Sequence, residues 1–276
     1  MSTRSKLLLS LGSLALALLF GGLIIRIVGD DPLEIYHKVL VGSFGSVANF
    51  MGVLSYTTPL IMTGLAAVVA FRGGVFNIGG EGQLLFGSLM AVIVGLNVDM
   101  AWPFPLLFAL IAGFLGGAIW ALIPTALLGR NMTSLFVGTI MMNSIGSLIA
   151  EYLVKYHFLR PNASTTETAV VNAGAILPRF HPNTQLNYGI FLAFLLVLVV
   201  AWFLYRTPAG FSIRAVGMNQ MAAMQAGIPV FNRTLLTMAI SGGICGLGGM
   251  FIIMAPSGCG GIWVHNAIGG AGWIAV

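Results

Sequence analysis

The sequence predicts an all-α fold, a polytopic transmembrane helical bundle, on three observations. Only 7% of the 276 residues are charged, where a soluble domain carries about 25%. Apolar residues make up 58% and the mean hydropathy is +0.99. They gather into stretches close to the ~20 residues that a helix needs to cross the hydrocarbon core. So few charges cannot cover a surface in water, which makes lipid the solvent for most of the chain.

Windows of that length give seven spans: Leu7–Val28, Val53–Phe71, Gly82–Val98, Phe104–Leu128, Thr133–Val154, Asn187–Tyr205 and Thr234–Pro256. The first follows Arg4 and Lys6. It exceeds the ~7–15-residue apolar core of a secretory signal and no small-x-small site follows it, so it reads as a retained helix. A further apolar segment begins near Ile262 and still runs at Val276. The sequence therefore reads as one transmembrane domain over 1–276 that stops inside an incomplete, truncated C-terminal element.

Orientation follows from Lys and Arg, which gather on the cytoplasmic side of short loops. With the N-terminus inside, Arg4, Lys6, Arg72, Arg130, Arg206, Arg214 and Arg233 lie inside, against Arg26, Lys38, Lys155, Arg160 and Arg179 outside. Asp30, Asp31, Glu34, Asp99, Glu151 and Glu167 fall outside. Of the outer segments, Asp30 to Gly52 is expected to begin with a short helix over Pro32–Leu40. Lys155 to Leu186, with Pro161, Pro178 and Pro182, reads as an extracytoplasmic loop or cap. The net charge of +5 is spread without a basic cluster, which gives no surface for nucleic acid.

The inner loop 206–233 reads RTPAGFSIRAVGMNQMAAMQAGIPVFNR. Asn219 suits the N-cap of a helix over Gln220–Ala226. Gly227 suits the left-handed residue that ends it, followed by Ile228 and Pro229. Two short helices joined by a turn are expected. Met221, Ala222, Ala223 and Met224 offer small, soft apolar surface, so the loop is either a helical surface loop or a docking element for a cytosolic partner.

Between the second and third spans stands Arg72-Gly73-Gly74-Val75-Phe76-Asn77-Ile78-Gly79-Gly80-Glu81-Gly82-Gln83. Its clustered glycines prevent a continuous helix. Non-helical backbone at membrane depth is tolerated only where it is buried in protein or lines a watery cavity. Glu81 sits where the helix restarts, and the positive end of the helix dipole favours a carboxylate there. It reads either as a stabiliser of that helix start or as a polar group on a substrate path. Ile268-Gly269-Gly270-Ala271-Gly272 echoes Ile78-Gly79-Gly80-Glu81-Gly82 after a span of opposite direction, the arrangement of inverted repeats with broken helices. Cys245 and Cys259 stand in Gly-rich apolar sequence, outside any CxxC or His-flanked pattern. They read as small packing residues, and no metal is expected.

These residues resemble permease subunits of ABC importers of the branched-chain amino acid, ribose and nucleoside type. PLIMTGLAAVVAFRGGVFNIGGEGQL, Pro59–Leu84, is similar to the family signature, with Phe-Asn-Ile-Gly-x-Glu-Gly-Gln its most specific part. Gly210 to Asn219, followed by Ala222-Ala223 and Gly227-Ile228, resembles the coupling-helix segment. The resemblance covers the chain from the first span onward. It departs at Thr133 and Ser134, where relatives carry Asn-Glu, while Thr139 and Asn143 are retained.

The resemblance implies a transport subunit rather than an enzyme. Its partners would be two cytosolic ATPase subunits, a second permease subunit of the same or a related chain, and an extracytoplasmic solute-binding protein. Arg214, Ala215, Gly217, Asn219, Ala222, Ala223, Gly227 and Ile228 become the expected ATPase-coupling residues. Asn77, Glu81, Gln83, Thr139 and Asn143 become the expected substrate-path residues. The glutamate form of the motif is most similar to nucleoside and simple-sugar permeases, with a ribonucleoside the first expectation. No cofactor is expected in this chain, which carries no GxxxxGK[ST] nucleotide loop. Two other classes remain on the residues alone. One is an intramembrane protease using Ser241 and His265, and the other is an ion-coupled transporter using Glu81.

Overall fold

The computed structural model of the chain describes residues 3–180, 186–255 and 259–264. It divides into two compact units, Met1–Val53 and Leu54–Val276. Among the described residues, seven helices are long and apolar enough to cross a membrane.

The first unit holds α1 (Thr3–Val28), α2 (Pro32–Phe44) and the start of α3 (Val47–Arg72). The Asp31 carboxylate accepts from the Leu33 amide at 2.9 Å, and Pro32 opens α2 where its missing N–H costs nothing. The Tyr36 hydroxyl donates to the Leu18 carbonyl at 2.6 Å and ties α2 to α1. The third helix begins at Val47, not Val53 as hydropathy suggested. Ser46 caps it, its Oγ accepting from the Asn49 amide at 3.1 Å, and a polar cap of this kind is invisible to a hydropathy window.

The second unit contains the rest of α3, with α4 (Gly80–Asn97), α5 (Phe104–Leu128), α6 (Met132–Leu153), α7 (Gly189–Arg206), α8 (Pro208–Met218), α9 (Gln220–Gln225) and α10 (Val230–Met254). Its centre is α10, packed against α4 and α5. Apolar side chains gain little by leaving lipid, so helices here associate through close backbone approach. Gly246 shows it. A Cβ there would strike the Gly113 carbonyl and lie 3.0 Å from the Gly117 Cα. Cys245 and Ser241 are buried on the same helix. Met62, Leu84, Leu89, Met250, Phe251 and Ile253 fill the space around it.

Residues 159–180 form a cap at the far ends of α4 and α10. Asn172 binds the α4 terminus twice, through its amide to the Gly95 carbonyl at 2.9 Å and through Nδ2 to the Val98 carbonyl at 3.0 Å. The Leu177 amide donates to the Met254 carbonyl at 3.0 Å. Trp263 is fully buried below it, exchanging bonds with Thr168 and donating Nε1–H to the Ser88 hydroxyl at 3.0 Å. The expected outer cap is thus folded onto the helices. The Gly269–Gly272 echo, and with it the test of an inverted repeat, lies outside the described residues.

Substituting Gly246→Ala is expected to cost about 1–3 kcal/mol by overpacking, seen as a lower thermal unfolding midpoint in detergent. Gly64→Ala, where nothing lies within 4 Å of the added carbon, is expected to leave the midpoint unchanged or higher.

Candidate functional site

Chain leaves helical geometry after Arg72 and resumes it at Gly80. The N-cap of α4 is Gly79, which has no side chain to accept from the orphan amides of the first turn. Asn143, from the middle of α6, takes that role. Its Oδ1 accepts from the Gly82 amide at 2.9 Å and its Nδ2 donates to the Ile78 carbonyl at 2.9 Å. A side chain from another helix therefore ties the end of the break to the first turn of α4.

Asn77 and Gln83 complete the repair. Their amides pair reciprocally, Asn77 Nδ2 to Gln83 Oε1 at 2.9 Å and Gln83 Nε2 to Asn77 Oδ1 at 2.8 Å. Asn77 Oδ1 also accepts from the Gly79 amide at 3.2 Å, and Nδ2 donates to the Ser241 hydroxyl at 2.9 Å. Ser241 in turn donates to the Ala66 carbonyl at 2.9 Å. A hydroxyl engaged on both sides as a structural link is not poised as a nucleophile, which removes the observation behind the protease alternative; His265 lies outside the described residues.

The expected path residues separate into two groups. Glu81 and Asn143 line a groove of about 390 Å³ with Ile140, Ser144, Ser147 and Leu148. Asn77, Gln83 and Thr139 are buried in hydrogen bonding, Thr139 donating to the Phe136 carbonyl at 2.8 Å. Ser144 and Ser147 were not singled out in the sequence. Ser147, four residues beyond Asn143, was legible as the continuation of its face, and Ser144 only as the residue three before Ser147. Trp120 stacks on Phe86 with centroids 3.6 Å apart, and its ring fills the space that glycine leaves at positions 82 and 146.

The coupling segment forms as two helices joined through Asn219 alone. The Asn219 side chain accepts from the Ala222 amide at 3.0 Å. At the other end Gly227 has φ +78°, the Ile228 amide reaches the Ala223 carbonyl at 3.0 Å, and the Gly227 amide reaches Met224 at 3.0 Å. That pair of bonds is a Schellman stop. Met221, Ala222 and Met224 are exposed, while Ala223 is buried against the unit. Arg214 donates Nε–H to the Leu204 carbonyl at 2.9 Å, and Gly217 lies against Arg72 and Gly74 at the entry to the break.

A broken helix repaired by buried amides beside a polar groove, with a capped helix pair at one end of the helices, defines a multi-pass membrane transport protein. Residues 49–266 match the family described as branched-chain amino acid transport system / permease component, and the chain belongs to that family. It is 36% identical over 250 residues to a guanosine ABC transporter permease protein of Bacillus subtilis (strain 168), covering 89% of this chain and 71% of the relative. It is 29% identical over 254 residues to a nucleoside ABC transporter permease protein of Lactococcus lactis subsp. cremoris (strain MG1363), covering 89% and 70%. A glucose ABC transporter permease protein of Haloferax volcanii is 27% identical over 252 residues, covering 88% and 66%. No solved structure matches the chain. The protein is an ABC transporter permease, a transport subunit rather than an enzyme.

Replacing Asn77 by Ala strands the Gln83 amide and the Gly79 N–H, and a loss of about 1–3 kcal/mol is expected from buried groups left unsatisfied. A double-mutant cycle with Gln83→Ala, read by unfolding in detergent, is expected to give a coupling of about 1 kcal/mol between the two amides.

Proposed function

We propose that this permease carries nucleosides across the bacterial cytoplasmic membrane, with its N-terminus in the cytoplasm. It would work with two cytosolic ATPase subunits, a second permease of the same or a related chain, and an extracytoplasmic solute-binding protein. The observation that carries the substrate reading is the groove in which Glu81, Asn143, Ser144 and Ser147 converge within otherwise apolar helices. A charged side chain at the centre of a membrane helix costs about 2.5–3.5 kcal/mol on insertion scales, and such residues mark substrate paths. A nucleoside presents hydroxyls and ring nitrogens that need this mixture of acceptors and donors. The names of the guanosine and nucleoside permease relatives support the same substrate class.

Asn77, Gln83 and Thr139 would then act on the path indirectly, by holding the break in shape, while Glu81 and Asn143 face the solute. Arg214, Ala215, Gly217, Asn219, Ala222, Ala223, Gly227 and Ile228 would form the ATPase-coupling element. The Lys/Arg distribution supports its cytosolic placement, because Arg72, Arg130, Arg206 and Arg233 fall on the same side of the spans.

The test is uptake by proteoliposomes holding the complete complex of permease, ATPase and binding protein. Labelled guanosine is expected to accumulate only with internal ATP and to be displaced by other nucleosides but not by glucose. Glucose import, or guanosine import that survives without ATP and collapses with a protonophore, refutes the reading. Glu81→Ala is expected to lower uptake about 10–100-fold, the equivalent of one hydrogen bond to a charged group, with the ATPase still bound.

A further inference from the structure

Two helix ends and the middle of a third helix meet on one aromatic ring in the second unit. Tyr205 is the penultimate residue of α7. The guanidinium carbon of Arg214, on α8, lies 4.9 Å from its ring centroid, and that of Arg72, the last residue of α3, lies 5.8 Å from the same centroid. Two guanidinium groups repel each other across water, while the face of an aromatic ring attracts both. The ring thus holds two like-charged side chains from different helices together.

A second contact lies one turn further along α8. Gly217 approaches the Arg72 carbonyl so closely that no side chain fits, and a Cβ at Gly217 would lie 2.9 Å from the Gly74 nitrogen. Gly74 has φ +72°, a conformation open to glycine, and a Cβ on it would come within 2.9 Å of the Gly217 Cα. From Gly74 the chain needs only Val75 and Phe76 to reach Asn77, whose amide is bonded to Gln83 on the far side of the break.

We infer that Tyr205 is a positioning residue: gripping Arg72 and Arg214, it makes α8 and the entry to the break move as one body. Displacement of α8 and α9 then reaches Asn77 and Glu81 through main chain, without passing along the length of any spanning helix. The inference rests on the proposed reading of α8 and α9 as the ATPase contact. Tyr205 is not among the residues that line the groove, so its action on the path runs through Arg72 and Arg214.

The test uses the full complex in proteoliposomes, with three readouts: ATPase subunits retained on co-purification, ATP hydrolysed, and guanosine imported. Tyr205→Phe keeps the ring and is expected to match the unmodified transporter. Tyr205→Leu is expected to keep its ATPase and its hydrolysis rate while importing about five- to tenfold less guanosine per ATP, the factor for losing two exposed cation–π contacts. Arg72→Gln removes one of the two ring contacts while sparing the coupling element, and a smaller loss of import per ATP is expected of it, with bound ATPase and hydrolysis unchanged. Unchanged import per ATP in Tyr205→Leu overturns the inference, as does loss of bound ATPase in that variant or equal damage in Tyr205→Phe. If Tyr205→Leu yields no folded protein, Arg72→Gln decides by the same ratio. Failure of the underlying reading looks different: the double variant Met221→Glu, Met224→Glu would then retain its ATPase in full.

Discussion

Main chain that abandons helical bonding inside lipid has no water to turn to, and every polar group it frees must be met by the protein. The amides of Gly73, Gly74 and Val75 turn back to carbonyls at the end of α3, and from Ile78 to Gly82 carboxamides meet the demand. Asn77, Gln83 and Asn143 carry both donors and acceptors on a planar group, so each can serve an amide and a carbonyl at once. Asn143 does so at the end of the break, capping a helix to which it does not belong. The rest of the site follows from this repair. With Asn77 and Gln83 committed to each other beside the break, Glu81, Asn143 and the serines of α6 form the polar side of the groove.

The same economy of size governs the packing around it. α10 threads between α4 and α5 because glycine faces glycine where they cross, and Ser241 projects from that helix into the amide network. The helix contact and the polar network are thus one structure. A shift of α10 would disturb the break directly, which places the core of this permease in mechanical contact with its candidate path.

Much of this was legible before any coordinates. Apolar runs near bilayer length located all seven spans, and the glycines around Asn77 located the break. Asn219 and Gly227 fixed the two ends of α9, because capping is local chemistry written within a few residues. What escaped was non-local. Asn77 meets Ser241 from 164 residues away, a pairing that no spacing announces. The same holds for Tyr205, whose two arginine partners come from different helices. That Asn143 both lines the groove and repairs the backbone, while Asn77 does only the second, was also hidden, since an asparagine looks the same in either role. The early start of α3 was missed because a serine cap carries no hydropathy signal.

The glycine crossings have a consequence for how such a chain tolerates change. In a water-soluble core, large apolar side chains are the least replaceable and glycines are often incidental. Here the order is inverted: exposed leucine, isoleucine and phenylalanine have room for a different side chain, while the smallest residue has no substitute where two backbones touch. The least conspicuous positions of this protein are therefore the ones at which a single added carbon does the most harm.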